Sequence, residues 1–428
     1  MDQRPTTDAH TDADADFGAG AGGGATTEFE SDVMNLLVEA LRVAVRHESP
    51  AVGTDLVLAA LVMGDSDAGE AIAPGMRKAG SLSGMISGMA GRGWVSDDGE
   101  GGAPVTTTAP DRNADEDEVI SVWREAQWRL ALGSRGSASE SGRELPGMTG
   151  ALRACLLLAL KSARAEGTVA VRCRHVARAL LDLPDSRARE ALVLRRLDTV
   201  AAATALDALD TSASTETERP ESPGVKLLRR AGTLGKSGNR LTRALVSWTS
   251  GSAVNGSPVM FTVHLEAVRQ AVRCGRTVAE PVDLLLGALA LDRALSLAGL
   301  CLPEDLATVN SAAALLRRHG VRQDSLTRAA MTRTANASRS VGDTTDVQLS
   351  ASADRAMAVA RLSAAEQGSP TVGTVHLLAA LLADGPATTG TAAATDEDTE
   401  GGAVVRLLTA AQVDVAALRA EPLLRPRA

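Results

Sequence analysis

Apolar side chains recur every three or four residues along four separate stretches of the chain. In the first stretch the repeating positions are Val33, Leu36, Leu37, Ala40, Leu41, Ala44 and Val45. The other three stretches have the same spacing at Leu152, Leu156, Ala159 and Ala163; at Phe261, Leu265, Val268 and Val272; and at Leu349, Ala353, Met357, Ala360 and Ala364. This period places the apolar side chains on one face of an α-helix. We therefore predict four amphipathic helices of one kind.

A second apolar segment follows each of these helices after a short turn. SPAVGTDLVLAALV, from Ser49, and SPTVGTVHLLAALL, from Ser369, are identical at nine of fourteen positions. Two weaker copies lie between them. Aligned on the terminal Ala-Leu, the four motifs are VGTDLVLAAL at 52–61, VRCRHVARAL at 171–180, EPVDLLLGAL at 280–289 and VGTVHLLAAL at 372–381. Such internal similarity predicts four repeats of one supersecondary unit.

The turn residues predict how each second helix starts. Glycine permits a tight turn at positions 53 and 373. Thr54 and Thr374 are then predicted to N-cap the following helix by accepting a backbone N–H bond. In the second copy the cap falls on Cys173, a poor capping residue, and in the third Asp283 is expected to cap one position later. Further helices are predicted at 188–197 and 401–419.

Composition favours an all-α protein. Aromatic residues are only 2% of the 428 residues and tyrosine is absent, whereas helix formers such as Ala, Leu and Glu are abundant. The net charge of −9 argues against nucleic acid as a partner, because phosphate binding needs a basic surface. We see no signal peptide at the N-terminus and no apolar run of membrane-spanning length, so we expect a cytoplasmic protein without a membrane partner.

The motif V-G-T-x-H-L-L-x-x-L, placed after an amphipathic helix, resembles the Clp repeat. Two such repeats form the mostly helical N-terminal domain of the Clp chaperone ATPases. The last copy, VGTVHLLAALL, is the most similar, and the first matches apart from its missing histidine. The resemblance implies two tandem Clp-N-like domains, each a pseudo-twofold pair of repeats, joined by flexible linkers.

Domain boundaries follow from the repeats and the polar segments between them. We predict a disordered acidic and Gly-rich tail at 1–28, a first domain at 29–210, a linker at 211–256 and a second domain at 257–423. The repeats are placed at about 29–80 and 147–210, and at about 257–320 and 347–422. The insertion at 81–146 is expected to be flexible and partly helical.

One helix is predicted inside that insertion, in the sequence DEDEVISVWREAQWRLAL at 115–132. Val119, Trp123, Ala126 and Leu130 form one face of it. Two interpretations fit this face. The helix packs on its own domain, or an exposed Trp123 or Trp128 anchors a partner protein.

Motifs for catalysis are missing from the sequence. GTLGKS at 232–237 resembles the end of a phosphate-binding loop, but Arg230 stands where the first glycine is needed, so we interpret it as a basic linker. The four cysteines lie in apolar runs without a Cys-x-x-Cys pair, which is typical of reduced core residues. We expect neither an enzyme nor a cofactor or metal site, and no ATPase motor.

The candidate ligand-binding residues lie at the predicted helix starts. His175 and His376 occupy the motif histidine of the resembled family, either as buried residues bonded to backbone or as a pH switch or ligand contact. In that family the residue after Gly-Thr is commonly Glu, and in some members it receives phosphorylated arginine. The aligned residues here are Asp55, Arg174, Asp283 and Val375. Asp55, Asp283, Thr54 and Thr374 are thus candidates for client binding, and for the two acids the alternative is helix capping.

The resemblance implies binding of proteins. The partners would be Clp unfoldase or protease subunits, adaptors or client proteins, and the chain would deliver clients as an adaptor or sequester them as a decoy. Two other functions remain open: a structural protein that uses these domains for self-association, and an enzyme whose site lies in the divergent second and third repeats. The oligomeric state is not predicted.

Overall fold

The computed structural model describes ten stretches of the chain: 27–76, 80–90, 93–96, 98–99, 114–133, 145–213, 221–234, 257–335, 347–383 and 402–425. Most of the predicted tail, the GKS of the loop-like motif and the polar segment at 384–401 lie outside the described residues. The described part is mostly helical, which confirms the all-α prediction.

The first half of the chain, residues 27–213, has nine helices and four two-residue strands among its described residues. The strands are β1 (Glu28–Phe29), β2 (Ala51–Val52), β3 (Gly147–Met148) and β4 (Ala170–Val171). The helices are α1 (Ser31–Arg46), α2 (Thr54–Met63), α3 (Asp67–Ile72), α4 (Ser81–Ala90), α5 (Ala114–Gly133), α6 (Gly150–Ala165), α7 (Cys173–Asp182), α8 (Arg187–Leu194) and α9 (Thr199–Ala213).

The second half, residues 221–425, repeats this order with a shorter set of strands. Its strands are β5 (Val278–Ala279) and β6 (Gln348–Leu349). Its helices are α10 (Pro223–Arg230), α11 (Pro258–Arg273), α12 (Pro281–Leu297), α13 (Glu304–Ala307), α14 (Ala312–Arg318), α15 (Gln323–Ala335), α16 (Ala351–Glu366), α17 (Thr374–Ala383), α18 (Ala403–Ala410), α19 (Val415–Arg419) and a 3₁₀ turn at Pro422–Leu424.

The short strands join the repeats of a half to each other. In the first half β1 pairs in parallel with β4, and β2 pairs in parallel with β3. In the second half β5 pairs in parallel with β6. Each strand precedes one of the long helices or one of the motif helices, so every pair aligns the start of a helix in one repeat with the start of a helix in the other.

Two large apolar cores lie in the two halves. The first core runs from Phe29 to Leu206 and includes Leu58 and Leu61 of the motif helix α2. The second runs from Val225 to Leu424 and includes Leu378 and Leu381 of the motif helix α17. The predicted face of the inserted helix α5, including Trp123, belongs to the first core.

The sequence-based expectation for the third repeat is wrong at two positions. Leu265 is 42% exposed and Phe261 is half-buried, whereas Met260, Val263 and Ala267 pack in the second core. The core-facing side of α11 is therefore rotated from the predicted one. Val268 and Val272 are buried as predicted, but they form a separate small cluster with Trp128 of α5.

Part of the predicted linker at 211–256 is also wrong. Residues 223–230 form α10, whose Val225 and Leu228 are fully buried in the second core. Ser222 caps this helix, because its hydroxyl accepts a bond from the backbone N–H of Val225 at 3.2 Å. The basic segment KLLRR is thus a docked helix and not a linker.

Three of the four cysteines are buried, as the prediction requires, and Cys301 is exposed in the loop after α12, which corrects the expectation for that residue. Among the described residues, no helix combines the length and the apolar character that crossing a membrane requires.

Candidate functional site

The candidate residues lie at four turns where an extended segment leads into α2, α7, α12 or α17. The N-cap positions are Gly53, Arg172 and Glu280 in the first three turns. The helix therefore begins at Thr54, Cys173, Pro281 and Thr374 in the four repeats. Counting from these starts corrects the alignment of the third repeat by one residue. Asp283 is the third residue of its helix, as His175 and His376 are of theirs, whereas Asp55 is the second.

That third helical position makes the same bond in three of the four turns. The Nδ1 atom of His175 accepts a hydrogen bond from the backbone N–H of Arg172 at 2.8 Å, and Nδ1 of His376 accepts one from Gly373 at 3.1 Å. Asp283 accepts the equivalent bond from Glu280 at 2.9 Å. Each side chain satisfies a backbone donor that the helix itself leaves unbonded. The fourth member of this set is Leu56, which cannot make the bond.

Both motif histidines are held in the neutral form. A ring nitrogen that accepts a bond from a backbone N–H carries no proton. Burial lowers the pKa of His175 and of His376, although contact with Glu166 at 2.9 Å opposes this shift at His175. The geometry supports the interpretation of both as buried residues bonded to backbone.

The prediction that Thr54 and Thr374 act as N-caps is wrong. Each is the first residue of its helix, and α2 has no side-chain cap. The Thr54 hydroxyl instead accepts a bond from the backbone N–H of Ala188 at 3.0 Å, and the Thr374 hydroxyl accepts one from Ala312 at 3.3 Å. In both halves the donor belongs to a short helix, α8 or α14, that follows the motif helix of the neighbouring repeat. The threonine therefore links two repeats.

Asp98, which the sequence analysis missed, lies at the centre of the first of these links. Its Oδ2 accepts bonds from the Thr54 backbone N–H at 2.8 Å and from the Thr149 hydroxyl at 3.0 Å. Its Oδ1 accepts bonds from the Thr54 hydroxyl at 3.0 Å and from the Arg187 backbone N–H at 3.1 Å. Three helix starts thus share one buried carboxylate, a favourable arrangement because helix N-termini carry partial positive charge.

Asn310 has the corresponding position in the second half. Its Oδ1 atom accepts a bond from the Thr374 backbone N–H at 3.1 Å. Asn310 lies just before α14 but 64 residues from Thr374 along the chain, so no local signal points to this contact. Asp98 lies within the Gly-rich insertion, 44 residues from Thr54 along the chain, and no pattern in the sequence points to this contact.

Asp55 is buried beside Asp98 with one oxygen unbonded. Only 4% of its surface is exposed, and its Oδ1 atom has no hydrogen-bond partner among the described residues. Burial raises the pKa of Asp55 to about 6, Arg187 opposes the rise, and the Asp98 carboxylate adds to it.

Asp283 is fully buried and is paired with Arg276. The Arg276 Nε donates to Asp283 Oδ2 at 3.0 Å, and a second guanidinium nitrogen contacts the other oxygen. Burial raises the pKa of this carboxyl and Arg276 opposes the shift. With the backbone bond to Glu280, this network satisfies the carboxylate from within the chain.

All six candidate side chains are buried, with no more than 5% of any residue exposed. The structure brings Thr54 and Asp55 together around Asp98, places Asp283 in an ion pair, and leaves His175, His376 and Thr374 in separate turns. Among the described residues, no group of three or more His, Cys, Asp or Glu side chains could hold a metal ion.

Exposed apolar side chains lie elsewhere. Leu158 and Val359 are 40% and 39% exposed and occupy the same position of α6 and α16, eight residues after the first helical residue. Val193, Leu194 and Val200, at the junction of α8 and α9, are exposed by 62%, 52% and 74%. None of these residues is among the site residues predicted from sequence.

Comparison with known protein families matches part of the chain. The model of the Clp repeat (R) N-terminal domain matches residues 306–394, a stretch that runs from α13 to beyond α17 and contains VGTVHLLAALL. No curated protein and no solved structure matches the chain significantly. The predicted resemblance is confirmed for this part of the chain: residues 306–394 match the Clp repeat N-terminal domain family.

Proposed function

We propose that the chain is a non-catalytic protein-binding protein of the Clp proteolysis system. It would recognise clients, adaptors or degrons in the cytoplasm and act either as an adaptor that delivers them or as a decoy that sequesters them. The observation that carries the proposal is the match of residues 306–394 to the Clp repeat N-terminal domain, which is a protein-interaction domain.

The geometry of the helix starts supports a framework role for most of the candidate residues. His175, His376 and Asp283 each satisfy a backbone donor, and Thr54 and Thr374 each join two repeats. A client could reach these atoms only if the turns opened. Asp55 differs from the other candidates because its Oδ1 atom has no hydrogen-bond partner among the described residues. This oxygen could therefore accept a hydrogen bond from a client.

A reconstituted degradation assay tests the proposal and separates its forms. A purified Clp unfoldase with its peptidase degrades a fluorescent client in the presence and absence of the full chain. An adaptor accelerates loss of fluorescence, whereas a decoy slows it in proportion to its concentration. If the rate is unchanged and light scattering shows a discrete oligomer of the chain, the proposal fails and self-assembly is favoured.

Two glycine variants provide a matched comparison for this assay. At Gly373 a side chain would meet the backbone carbonyl of Val309, so Gly373→Val should disrupt the turn inside the matched segment. At Gly147 nothing lies within 4 Å of the position that a Cβ atom would occupy, so Gly147→Ala should leave the fold intact. We expect the effect on degradation to be lost in Gly373→Val and kept in Gly147→Ala.

Alanine variants of the acids test the client-binding candidates. Asp283→Ala leaves Arg276 buried without its partner, so we expect a lower melting temperature. Asp55→Ala removes no hydrogen bond at Oδ1, so a loss of client binding at unchanged melting temperature would assign this residue to recognition.

A further inference from the structure

Six charged side chains meet between the two halves of the chain. Three are acids from the first half and three are arginines from the second. Arg129 of the first half also pairs with Glu125, and Glu266 of the second half with Arg269, so the charges remain balanced. We call this group the inter-half ion cluster, and its members are Glu28, Glu118, Glu125, Arg269, Arg273 and Arg293.

Arg273 is at the centre of the inter-half ion cluster. One of its terminal nitrogens, Nη2, contacts both oxygens of Glu118 at 2.8 and 2.7 Å, and the other, Nη1, contacts Glu125 at 3.1 Å. Arg269 contacts the same oxygen of Glu125 at 3.3 Å and Glu28 at 3.4 Å. Glu28 also lies 3.8 Å from Arg293. The contacts therefore form one connected network.

Most of this network is buried, although the side chains of Arg269 and Arg293 keep 18% and 12% of their surface exposed. Arg273 is 2% exposed, Glu125 is fully buried, and Glu118 and Glu28 are 7% and 6% exposed. Burial alone would raise the pKa of Glu125, but the neighbouring arginines hold it at about 2, so this carboxyl is ionised in the closed interface. Ion pairs at this depth are screened little by salt.

The helix α5 supplies Glu118 and Glu125 and lies between the two halves. Trp123 of this helix packs in the first core, and Trp128 packs against the small cluster formed by Val268 and Val272 of α11. Its Arg124 donates to the carbonyl oxygen of Arg273 at 3.3 Å, at the end of α11. The inserted helix thus belongs to the first core and contacts the second half along its length.

Buried ion pairs of this kind favour one orientation of the two halves more than they strengthen the contact between them. Taking ions out of water is costly, and the cost is offset only when each charge meets its partner in good geometry. A rotated or shifted contact between the halves would leave at least one of these charges buried and unpaired. The network therefore penalises every other orientation.

We propose that the two halves move as one body, in an orientation set by the inter-half ion cluster. Tandem domains joined by a small polar interface normally change their relative orientation, and the two halves of this chain would differ from that behaviour. It does not depend on the proposed function.

A distance measurement by pulsed electron paramagnetic resonance tests this proposal. Spin labels are placed at the exposed residues Val200 in the first half and Leu362 in the second, as Val200→Cys and Leu362→Cys. Cys301→Ser removes the exposed native thiol, and the other three cysteines are buried and shielded from the label. We expect a single narrow distance distribution that 1 M salt leaves unchanged.

Arg273→Met in the labelled chain removes the guanidinium group that contacts both Glu118 and Glu125. We expect the distribution to widen about twofold or more, as for domains free to reorient. Arg317→Met is the matched control, because Arg317 pairs with Asp292 at an exposed site within the second half, and its distribution should stay narrow.

A second label pair within the second half, Leu362→Cys and Leu423→Cys, reports whether the half that contains Arg273 still folds in Arg273→Met. If that pair also broadens, Glu118→Gln, which keeps the size and hydrogen-bonding oxygen of the side chain, replaces Arg273→Met. A broad distribution in the parent chain overturns the proposal. So does a narrow distribution in a folded Arg273→Met or Glu118→Gln chain that is indistinguishable from the parent.

Discussion

The hydroxyl of Thr54 accepts a hydrogen bond from the backbone N–H of Ala188 at 3.0 Å, although 134 residues separate the two along the chain. Thr374 makes the same contact with Ala312 in the second half, at 3.3 Å. Each bond fixes the start of a short helix in one repeat to the start of the motif helix in the other. These contacts, and not the capping of their own helices, explain why threonine stands at both positions.

We therefore expect Thr54→Val and Thr374→Val to destabilise the fold. Valine has a similar shape but leaves a buried N–H donor without an acceptor, which costs about 1–3 kcal/mol. The loss should be larger at Thr54, because its hydroxyl also donates to Asp98 at 3.0 Å. Urea denaturation measures the free energy of unfolding. Thr409→Val is the control, since Thr409 is exposed and bonds only within its own helix; an equal loss there would contradict the explanation.

The unbonded oxygen of Asp55 predicts a pH dependence with a definite sign. The folded chain raises the pKa of this carboxyl from 3.8 to about 6, so the folded state binds the proton more tightly than the unfolded state. The contribution of Asp55 to stability is therefore lost as the pH rises from 3.8 to 6.

Asp55→Asn removes this titration and keeps the shape of the side chain. We expect it to increase the free energy of unfolding at pH 7.5 by roughly 1–3 kcal/mol and to change it little near pH 4. Both Asp98 and Arg187 remain in place, so the difference between the variant and the parent isolates Asp55. A destabilised variant at pH 7.5 would show that the ionised carboxylate is better satisfied than its contacts indicate.

Gly287 marks the closest approach of two helices in the second half. A Cβ atom there would lie 2.7 Å from the carbonyl oxygen of Val263 and 2.8 Å from the backbone nitrogen of Ala267, both in α11. We expect Gly287→Ala to force α11 and α12 apart and to cost about 1–3 kcal/mol.

Gly84, inside α4, provides the opposite case because nothing lies within 4 Å of its Cβ position. Alanine is the better helix former by about 1 kcal/mol, so Gly84→Ala should raise the melting temperature. Similar shifts in the two variants would contradict the predicted contact at Gly287.

Thiol labelling should distinguish Cys301 from the other cysteines. Cys301 is exposed, whereas Cys155, Cys173 and Cys274 are buried and burial raises the pKa of each of these three thiols. Because the thiolate is the reactive form, we expect one adduct in the folded chain and four in denaturant, counted by mass spectrometry. Rapid labelling of a second cysteine would show that one of the cores opens.

The repeats and their helix starts were predictable from sequence because their signals are local. Apolar residues at helical spacing and the Gly-Thr pair each report on a few neighbouring residues, and they identified α1, α2, α16 and α17. Ser222 and Pro223 carry an equally local start signal for α10, but the polar residues before them concealed it.

The contacts that build the site could not be predicted because their partners are distant in sequence. Asp98 reaches Thr54, Thr149 and Arg187 from within the insertion, and the inter-half ion cluster joins residues more than 140 positions apart. Aligning the third repeat on its terminal Ala-Leu placed Asp283 opposite Asp55. The pairing of Ala279 with Leu349 shows that strand β5 ends just before Glu280. Aligned from this strand, Asp283 lies opposite Leu56, His175 and His376.

The pairing of strands between the two repeats of the first half has a consequence for how such a fold can be assembled. Strand β1 pairs with β4 and β2 with β3, so each repeat completes its strands only with those of the other. A chain that held a single repeat would find the same partners in a second copy of itself. The first half of this protein therefore has the strand pairing that a symmetric homodimer of single repeats would have.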